Sequence, residues 1–216
     1  DIPIERLMSK EYAKEMADKI KSGEKTHVPR LQKGEDQKET THVCAIDNAG
    51  NCVSMTHSLG MPSGVVTEGL GFVYNGCMGV FDPRPGKTGS LAPGKSRFTS
   101  MAPSMIFKDG KPMLLIGAPG GTYIAMGVVQ GILNVLDFGM DAEKAVAAPR
   151  FSATSDIIEI VNRIPHFVQE ELEAHGYAFR RYPLGFHFAG VHAIRITEDG
   201  VDGGADPGRD GMALAV

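Results

Sequence analysis

The sequence predicts an α+β fold in which helices pack over an antiparallel sheet. Two segments, 42–58 and 103–117, alternate apolar and polar residues on either side of a turn, which is typical of β-hairpins. Helix-like patterns are grouped between residues 122 and 176, and alternating segments return after residue 185. This order of strand pairs, grouped helices and closing strands favours an α+β fold over a parallel doubly wound sheet.

Length and composition limit the possible classes of protein. At 216 residues the chain can bury one substantial core and is short for two independent domains. The formal net charge is -4, so there is no basic surplus, which argues against a nucleic-acid partner. No apolar run approaches the roughly 20 residues that cross a bilayer, which argues against a membrane partner. The opening residues lack a signal-peptide core, and the sequence leaves the compartment open between cytoplasm and export.

The N-terminal region predicts one helix and a linker. Residues 9–22 form an amphipathic pattern, with Ser9 as the N-cap and Gly23 as the stop. The apolar positions of this helix are Tyr12, Met16 and Ile20. The following residues, 24–39, are rich in Lys, Glu and Gln, a composition typical of a disordered linker.

The strand-rich region predicts two hairpins and a long loop. Asn48-Ala49-Gly50-Asn51 supplies the first turn and Asp109-Gly110 the second. Residues 71–75 predict a further strand. Residues 79–98 hold three Pro and four Gly, and a long loop of this kind in a compact domain is usually a lid or a binding element.

Three helices are predicted in the second half of the chain. The mostly apolar run from Thr122 to about Leu136 predicts a helix buried between layers. Asp141 is the predicted N-cap of a short helix that ends before Pro149. The third helix opens at Ile164-Pro165 and is stopped by Gly176, and its predicted inward side chains are Phe167, Val168 and Leu172.

Thr40 lies at the boundary between the polar linker and the first hairpin. A Thr-Thr pair ordinarily does no more than begin a strand. If the Glu39–Thr40 bond is cut, however, Thr40 gains a free α-amine that can take the proton of its own hydroxyl. Ser58 ends the paired strand, and the hairpin is expected to return its hydroxyl towards Thr40. The sequence therefore predicts a tail, residues 1–39, that is cleaved from a catalytic unit, residues 40–216.

A glycine-rich turn, Gly117-Ala118-Pro119-Gly120-Gly121-Thr122, precedes the apolar helix. Successive glycine N–H groups beside a positive helix end stabilise an oxyanion, and loss of one such donor costs about 3 kcal/mol of transition-state stabilisation. No Lys follows the glycines, which argues against a P-loop phosphate cradle. A tight strand-to-helix turn with no catalytic role stays open as the structural alternative.

Other polar clusters carry weaker signals. Thr99 and Ser100 precede a strand, where they either bind a substrate carboxylate or satisfy a turn. His187 and His192 lie five apart on an alternating stretch, which predicts opposite faces and no metal site. The glycine-rich Asp cluster at 202–210 resembles a calcium loop weakly and lacks the terminal Glu of an EF-hand.

The chain has three cysteines, Cys44, Cys52 and Cys77, and their number and spacing predict free thiols rather than a disulfide framework. A contact between Cys44 and Cys52 across the first hairpin stays open. No metal or organic cofactor is predicted.

Taken together, these motifs resemble the γ-glutamyltranspeptidase family, including its acylase relatives. The matching stretches keep their order along the chain: TTHVCAIDNAGNCVSMTHS (40–58), APGKSRFTSMAPSMIFKDGKP (92–112) and IGAPGGTYI (116–124), with weaker matches at APRF (148–151) and GADP (204–207). The helix at 9–22 and its linker resemble the end of the family's large subunit. The chain from Thr40 onwards resembles the small subunit.

The resemblance implies a four-layer αββα sandwich of the N-terminal nucleophile hydrolase type and autocatalytic cleavage between Glu39 and Thr40. It also implies a large-subunit partner from the same precursor, giving an αβ heterodimer, and a small-molecule amide substrate. By the same resemblance, Thr40 is the nucleophile and Ser58 is the hydroxyl residue that hydrogen-bonds it. Gly120 and Gly121 are the oxyanion-hole pair. Thr99 and Ser100 are the pair that binds the substrate α-carboxylate.

Three positions depart from the pattern of family members that act on glutamyl groups. Val80 stands where those members carry an acidic residue that pairs with the substrate α-ammonium, and Gly60 and Cys77 replace an Asn and a Gln. An ammonium buried without its carboxylate would be unpaired, at a cost of several kcal/mol. We therefore expect an acylase or amidohydrolase whose substrate lacks an α-amine. A true γ-glutamyl transferase or glutathione hydrolase, and a catalytically silent binding fragment, stay open as alternatives.

Overall fold

The computed structural model describes residues 2–27 and 40–216. Two N-terminal helices, α1 (Ile4–Leu7) and α2 (Lys10–Lys21), open the chain. The hydroxyl of Ser9 accepts a hydrogen bond from the Tyr12 N–H, and Gly23 takes a positive φ of 81°, so the predicted cap and stop are both confirmed. No residue of α2 is buried. Most of the predicted linker, 28–39, and with it Glu39, falls outside the described residues.

The end of this N-terminal region contacts the main unit. Lys25 Nζ donates to the His175 carbonyl and lies 4.4 Å from the ring centroid of Tyr177. His27 Nδ1 is 2.6 Å from Asp156 Oδ2. The described start of the predicted linker is therefore attached to the surface of the unit that begins at Thr40.

Both predicted hairpins are confirmed. The first consists of β1 (Thr40–Ile46) and β2 (Cys52–Ser58), and a short pair follows it, β3 (Pro62–Val66) with β4 (Val73–Asn75). The second predicted hairpin consists of β5 (Ser104–Lys108) and β6 (Lys111–Gly117). Its turn has a positive φ at both Asp109 and Gly110, as the Asp-Gly dipeptide predicts.

The helices and the closing strands complete the unit. They are α3 (Ile124–Leu136), α4 (Ala142–Ala147), β7 (Phe151–Ser152), β8 (Ile157–Val161), α5 (His166–Ala174), β9 (Ala178–Tyr182), β10 (His192–Thr197) and β11 (Gly200–Ala205). Four strands form an antiparallel sheet in the order β11-β10-β6-β5. Asp141 caps α4 by accepting from the Lys144 N–H, as predicted.

The central sheet is covered by helices on one face and by the first hairpin on the other. Leu114 and Ile116 belong to the core that includes α3, and a Cβ at Gly131 of α3 would lie 2.7 Å from Ile116 Cδ1. On the opposite face the His42 ring lies against Gly117, and Ser54 Oγ donates to the Ile116 carbonyl at 3.2 Å. The described residues thus form three layers, helix, sheet and hairpin, and the α+β class is confirmed. The four-layer sandwich stays a prediction.

Three details differ from the expectations. Strands β8 and β9 pair in parallel, because α5 provides the crossover between them, so not every strand pair is antiparallel. Phe167 is 67% exposed and Leu172 36%, so the predicted inward orientation of both is wrong, whereas Val168 is half-buried. The helix α3 is buried on one face only, since its other face leaves three apolar side chains exposed: Val129, Leu133 and Leu136.

Residues 2–27 and 40–216 contain neither a membrane-spanning helix nor a cluster of metal ligands. None of the helices there is long and apolar enough to cross a membrane. No group of three or more His, Cys, Asp or Glu side chains in that part of the chain is arranged to hold a metal ion. Of the Asp cluster at 202–210, Asp202 pairs with Arg195 and Asp206 pairs with Arg150.

Candidate active site

The hydroxyls of Thr40 and Ser58 lie within hydrogen-bonding distance of each other. The register of the first hairpin pairs the two residues directly, and Thr40 Oγ1 is 2.9 Å from Ser58 Oγ. The Gly60 N–H donates to Ser58 Oγ at 2.9 Å. Because that oxygen already accepts one hydrogen bond from Gly60, its own proton can be directed at Thr40 Oγ1. Both side chains are half-buried on the face of the hairpin that packs against the central sheet.

The glycine turn after β6 has the backbone geometry that only glycine adopts easily. Gly120 and Gly121 have φ values of 139° and 60°. A Cβ at Gly120 would lie 2.6 Å from the Ala189 Cα, so the turn has no space for a side chain. In the described part of the chain, neither the Gly120 nor the Gly121 N–H donates a hydrogen bond. The turn therefore presents two free donors next to the start of α3, as an oxyanion hole requires.

The predicted carboxylate-binding pair, Thr99 and Ser100, precedes strand β5 by a few residues. Ser104 pairs with Ile116, so the chain entering β5 and the chain leaving β6 lie side by side. Thr99 and Ser100 precede β5 in an irregular segment, where the Thr99 hydroxyl accepts from the Met101 N–H at 3.2 Å. A hydroxyl that accepts from the backbone keeps its proton available for an anion.

The departing positions Gly60 and Cys77 lie together beside Ser58, and Val80 belongs to the same 3₁₀ helix as Cys77. A short 3₁₀ helix, Cys77–Val80, packs against the chain that follows β2, and the Gly76 N–H donates to the Leu59 carbonyl at 3.0 Å. A Cβ at Gly60 would lie 3.2 Å from Cys77 Sγ. Val80 ends this 3₁₀ helix and is 39% exposed. No charged side chain occupies any of these three positions.

His42 lies beneath the hydroxyl pair, between the hairpin and the sheet. Its Nδ1 is 2.8 Å from Thr56 Oγ1, and its Nε2 is 3.2 Å from Cys44 Sγ. Burial, with a smaller contribution from His192, lowers the pKa of His42 to about 4. Burial also raises the pKa of the Cys44 thiol to about 11. Both groups are therefore neutral near pH 7.

All three cysteines are free and half-buried. Cys44 is paired in the hairpin register with Ser54, and Cys52 is paired with Ile46, so no cross-hairpin contact joins the two thiols. The prediction of free thiols is confirmed for these described residues.

The long loop at 79–98 is held by its own hydrogen bonds. Arg84 makes a bidentate pair with Asp82, and the buried Ser90 hydroxyl donates to the Arg84 carbonyl while it accepts from the Lys87 N–H. These contacts give the middle of the loop a fixed shape. Its role as a lid stays a prediction.

The sequence does not predict two buried polar arrangements that the structure contains. Arg150 and Asp206, of which 6% and 4% are exposed, form an ion pair. Glu159 is 3% exposed and accepts hydrogen bonds from two tyrosines, Tyr123 and Tyr182. The motifs APRF and GADP contain Arg150 and Asp206, but only the fold brings them together, and Glu159 lies in a strand with no signal of its own.

Comparison with known proteins agrees with this architecture. The chain is 36% identical to the acylase ACY 1 proenzyme of Pseudomonas sp. (strain V22) over 218 residues, which covers 100% of this chain and 39% of that protein. It is 32% identical to the glutathione hydrolase proenzyme of Pseudomonas aeruginosa over 232 residues, covering 100% of this chain and 41% of that protein. The chain thus spans about two fifths of the length of these curated relatives.

A solved structure supports the same relationship. The gamma-glutamyltranspeptidase from Pseudomonas nitroreducens, complexed with L-DON, is similar with a TM-score of 0.71 and 33% identity, over 82% of this chain and 99% of that one. The fold is therefore an α+β fold of the N-terminal nucleophile hydrolase type. The model of the family described as gamma-glutamyltranspeptidase matches residues 1–216. The chain belongs to the gamma-glutamyltranspeptidase family.

Proposed function

We propose that the chain contains the catalytic unit of an autoprocessing amide-bond hydrolase or acyltransferase whose nucleophile is Thr40. The supporting observation is the 2.9 Å contact between Thr40 Oγ1 and Ser58 Oγ at the start of a hairpin that packs on the central sheet. Cleavage between Glu39 and Thr40 separates a tail, residues 1–39, from residues 40–216. Residues 40–216 make up 82% of this chain, the same fraction that the solved Pseudomonas nitroreducens chain covers, and this agreement supports the division.

In this proposal the new α-amine of Thr40 is the general base. Its pKa is about 7.7–8.0 when unperturbed, so an appreciable fraction is neutral near pH 7. Thr40 Oγ1 loses its proton to that amine and attacks the amide carbonyl, while Ser58 donates a hydrogen bond to the attacking oxygen. The N–H groups of Gly120 and Gly121 hold the oxyanion. The amine leaving group takes the proton, and water or an amino acceptor then cleaves the Thr40 ester.

The substrate is an amide with a carboxylate on its acyl part and no α-amine. Thr99 and Ser100 supply hydroxyl donors for the carboxylate. Val80, Gly60 and Cys77 supply no charge to pair with an ammonium, so a γ-glutamyl group would leave that cation unpaired. The similarity to a proenzyme named as an acylase favours hydrolysis of an acyl amide.

A large subunit of the same precursor is the proposed partner. Both curated relatives described above are named as proenzymes and are more than twice as long as this chain. The outer face of the first hairpin leaves Val43, Val53 and Met55 about half exposed. A further layer over this face would bury these side chains and complete the predicted αββα sandwich.

A pair of threonine variants tests the nucleophile. In Thr40→Ala, expressed from the full reading frame, we expect neither self-cleavage nor amide turnover. The matched control is Thr41→Ala, because Thr41 is exposed on the opposite face of β1 and its loss leaves the Thr40–Ser58 contact intact. Turnover retained in Thr40→Ala would refute the proposed role.

The similarity to a glutathione hydrolase supports a second candidate, a true γ-glutamyl transferase. A γ-glutamyl anilide and a glutaryl anilide, which differ only in the α-amine, separate the two candidates. We expect faster hydrolysis of the glutaryl compound, and Val80→Asp should raise the γ-glutamyl rate by about tenfold or more by pairing the ammonium. Met78→Asp, at an exposed position of the same 3₁₀ helix, is the control. A wild-type preference for the γ-glutamyl compound, stimulated by glycylglycine, would establish the transferase instead.

A further inference from the structure

We propose that Tyr123 and Glu159 are positioning residues that hold the Gly120–Gly121 turn in the geometry needed to bind an oxyanion. This inference rests on the proposed function, because it assigns a role to the support of the same turn. Tyr123 is the last residue of the 3₁₀ turn Gly121–Tyr123, and its backbone N–H donates to the Gly120 carbonyl at 3.2 Å. Only Thr122 separates the tyrosine from Gly121, so Tyr123 is closely linked to the oxyanion donors through the chain.

The Tyr123 side chain is fixed at its far end by two polar groups. The hydroxyl donates to Glu159 Oε2 at 2.7 Å and lies 2.8 Å from His187 Nε2. Since a tyrosine hydroxyl has one proton, and the carboxylate accepts it, His187 is the donor in the second hydrogen bond. Tyr123 is 1% exposed and Glu159 3%, so water cannot replace the hydrogen bond between them without a large rearrangement.

The same network also fixes the segment that supports the turn from behind. His187 is followed by Phe188 and Ala189, and the Ala189 backbone fills the place where Gly120 would carry a Cβ. The Gly190 N–H donates to the Pro119 carbonyl at 3.0 Å. The hydrogen bond between Tyr123 and His187 therefore joins the turn to its supporting segment, and Glu159 fixes both to strand β8.

Glu159 has a second tyrosine partner that does not touch the turn. Tyr182 donates to Glu159 Oε1 at 3.0 Å and stacks on His187 with ring centroids 3.5 Å apart. Tyr182 is therefore a matched control for Tyr123. Both hydroxyls satisfy the same buried carboxylate, but only Tyr123 belongs to the turn. If the two hydroxyls only stabilise the fold, Tyr123→Phe and Tyr182→Phe should have equal effects on kcat. If Tyr123 positions the turn, the effects on kcat should be unequal.

The test compares Tyr123→Phe, Glu159→Gln and Tyr182→Phe with the wild type, each expressed from the full reading frame. The probes are the glutaryl and γ-glutamyl anilides, whichever the wild type hydrolyses, and a boronic acid that forms a tetrahedral adduct with the Thr40 hydroxyl. We expect Tyr123→Phe to lower kcat by roughly 10- to 100-fold with KM changed less than about threefold. The boronic acid should bind more weakly by a similar factor. Glu159→Gln should show the same changes as Tyr123→Phe, whereas Tyr182→Phe should lower kcat by less than about threefold.

Thermal unfolding of each variant separates positioning from folding. We expect Tyr123→Phe and Tyr182→Phe to lower Tm by similar amounts and to differ in kcat. Equal kcat losses in these two variants, or an unchanged boronic acid affinity in Tyr123→Phe, would overturn the inference while leaving the proposed function in place. A wild-type protein that hydrolyses neither anilide would overturn the proposed function, and the inference with it.

Discussion

The imidazole of His42 fills the space directly next to the Gly117 Cα, where any other residue would carry its Cβ. This contact sets the distance between the first hairpin and the central sheet. Thr40 lies two residues before His42 on the same face of β1, and the Gly120–Gly121 turn follows Gly117 by three residues. The contact between a histidine and a glycine is thus the structural link between the proposed nucleophile and the proposed oxyanion donors.

Gly117→Ala should therefore push the hairpin away from the sheet. We expect a loss of about 1–3 kcal/mol of unfolding free energy, the usual cost of inserting a methyl group into a packed contact. Urea denaturation measures this loss. Gly89→Ala is the control, because a Cβ at exposed Gly89 makes only an ordinary contact with Asp82, and its effect should stay below about 0.5 kcal/mol. A Gly117→Ala protein as stable as the control would contradict the described packing.

His42 should make stability depend on pH. An unfolded histidine takes up a proton below about pH 6.5, whereas burial lowers the pKa of folded His42 to about 4. The stabilising contribution is thus fully present above pH 6.5 and falls as the pH drops towards 4, by at most about 3 kcal/mol. Urea denaturation between pH 7 and pH 4.5 tests this. His42→Gln should lose less stability over that interval than the wild type, and equal losses would show that His42 is not the titrating group.

Removal of only one partner of the buried Arg150–Asp206 ion pair should lower the free energy of unfolding strongly. Arg150→Met leaves the Asp206 carboxylate buried without its cation, and we expect a loss of about 3–5 kcal/mol. Arg150→Met combined with Asp206→Leu should recover much of that loss, since no buried charge is left unpaired. The exposed pair Lys14–Asp18 is the control, because Lys14→Ala should change stability by less than about 1 kcal/mol. Additive losses in the double variant would show that the two charges are not coupled.

Local signals in the sequence predicted much of the fold. The Asp-Gly turn at 109–110 and the caps Ser9 and Asp141 act within four residues, so the sequence is sufficient to recognise them. The pairing of Thr40 with Ser58 follows from the symmetry of the first hairpin, which is equally local.

Features that depend on distant residues were not predictable in the same way. The parallel pairing of β8 with β9 and the contacts of Glu159 arise from tertiary packing between segments 21 to 36 residues apart. His187 was expected on a strand, but it lies in a 3₁₀ turn, Gly185–His187, so the prediction of opposite faces for His187 and His192 does not apply. The exposed side chain of Phe167 shows that an amphipathic pattern does not reveal which element will cover it.

Ser58→Ala should slow the chemistry without unfolding the hairpin. The variant removes one hydrogen bond to Thr40 Oγ1, worth about 1–1.5 kcal/mol, and we expect about a tenfold loss in kcat and in the rate of self-cleavage. Ser58→Thr keeps the hydroxyl and should restore most of both rates. Failure of the threonine variant to do better than alanine, with both folded as judged by Tm, would argue against a hydrogen-bonding role.

The most direct test of the central claim is the mass and N-terminal sequence of the purified protein, expressed from its full reading frame. If Thr40 becomes a chain terminus, a product that begins Thr40-Thr41-His42 and ends at Val216 or beyond will accumulate, and Thr40→Ala will abolish it. A protein that hydrolyses amides while the Glu39–Thr40 bond stays intact after long incubation would contradict the account.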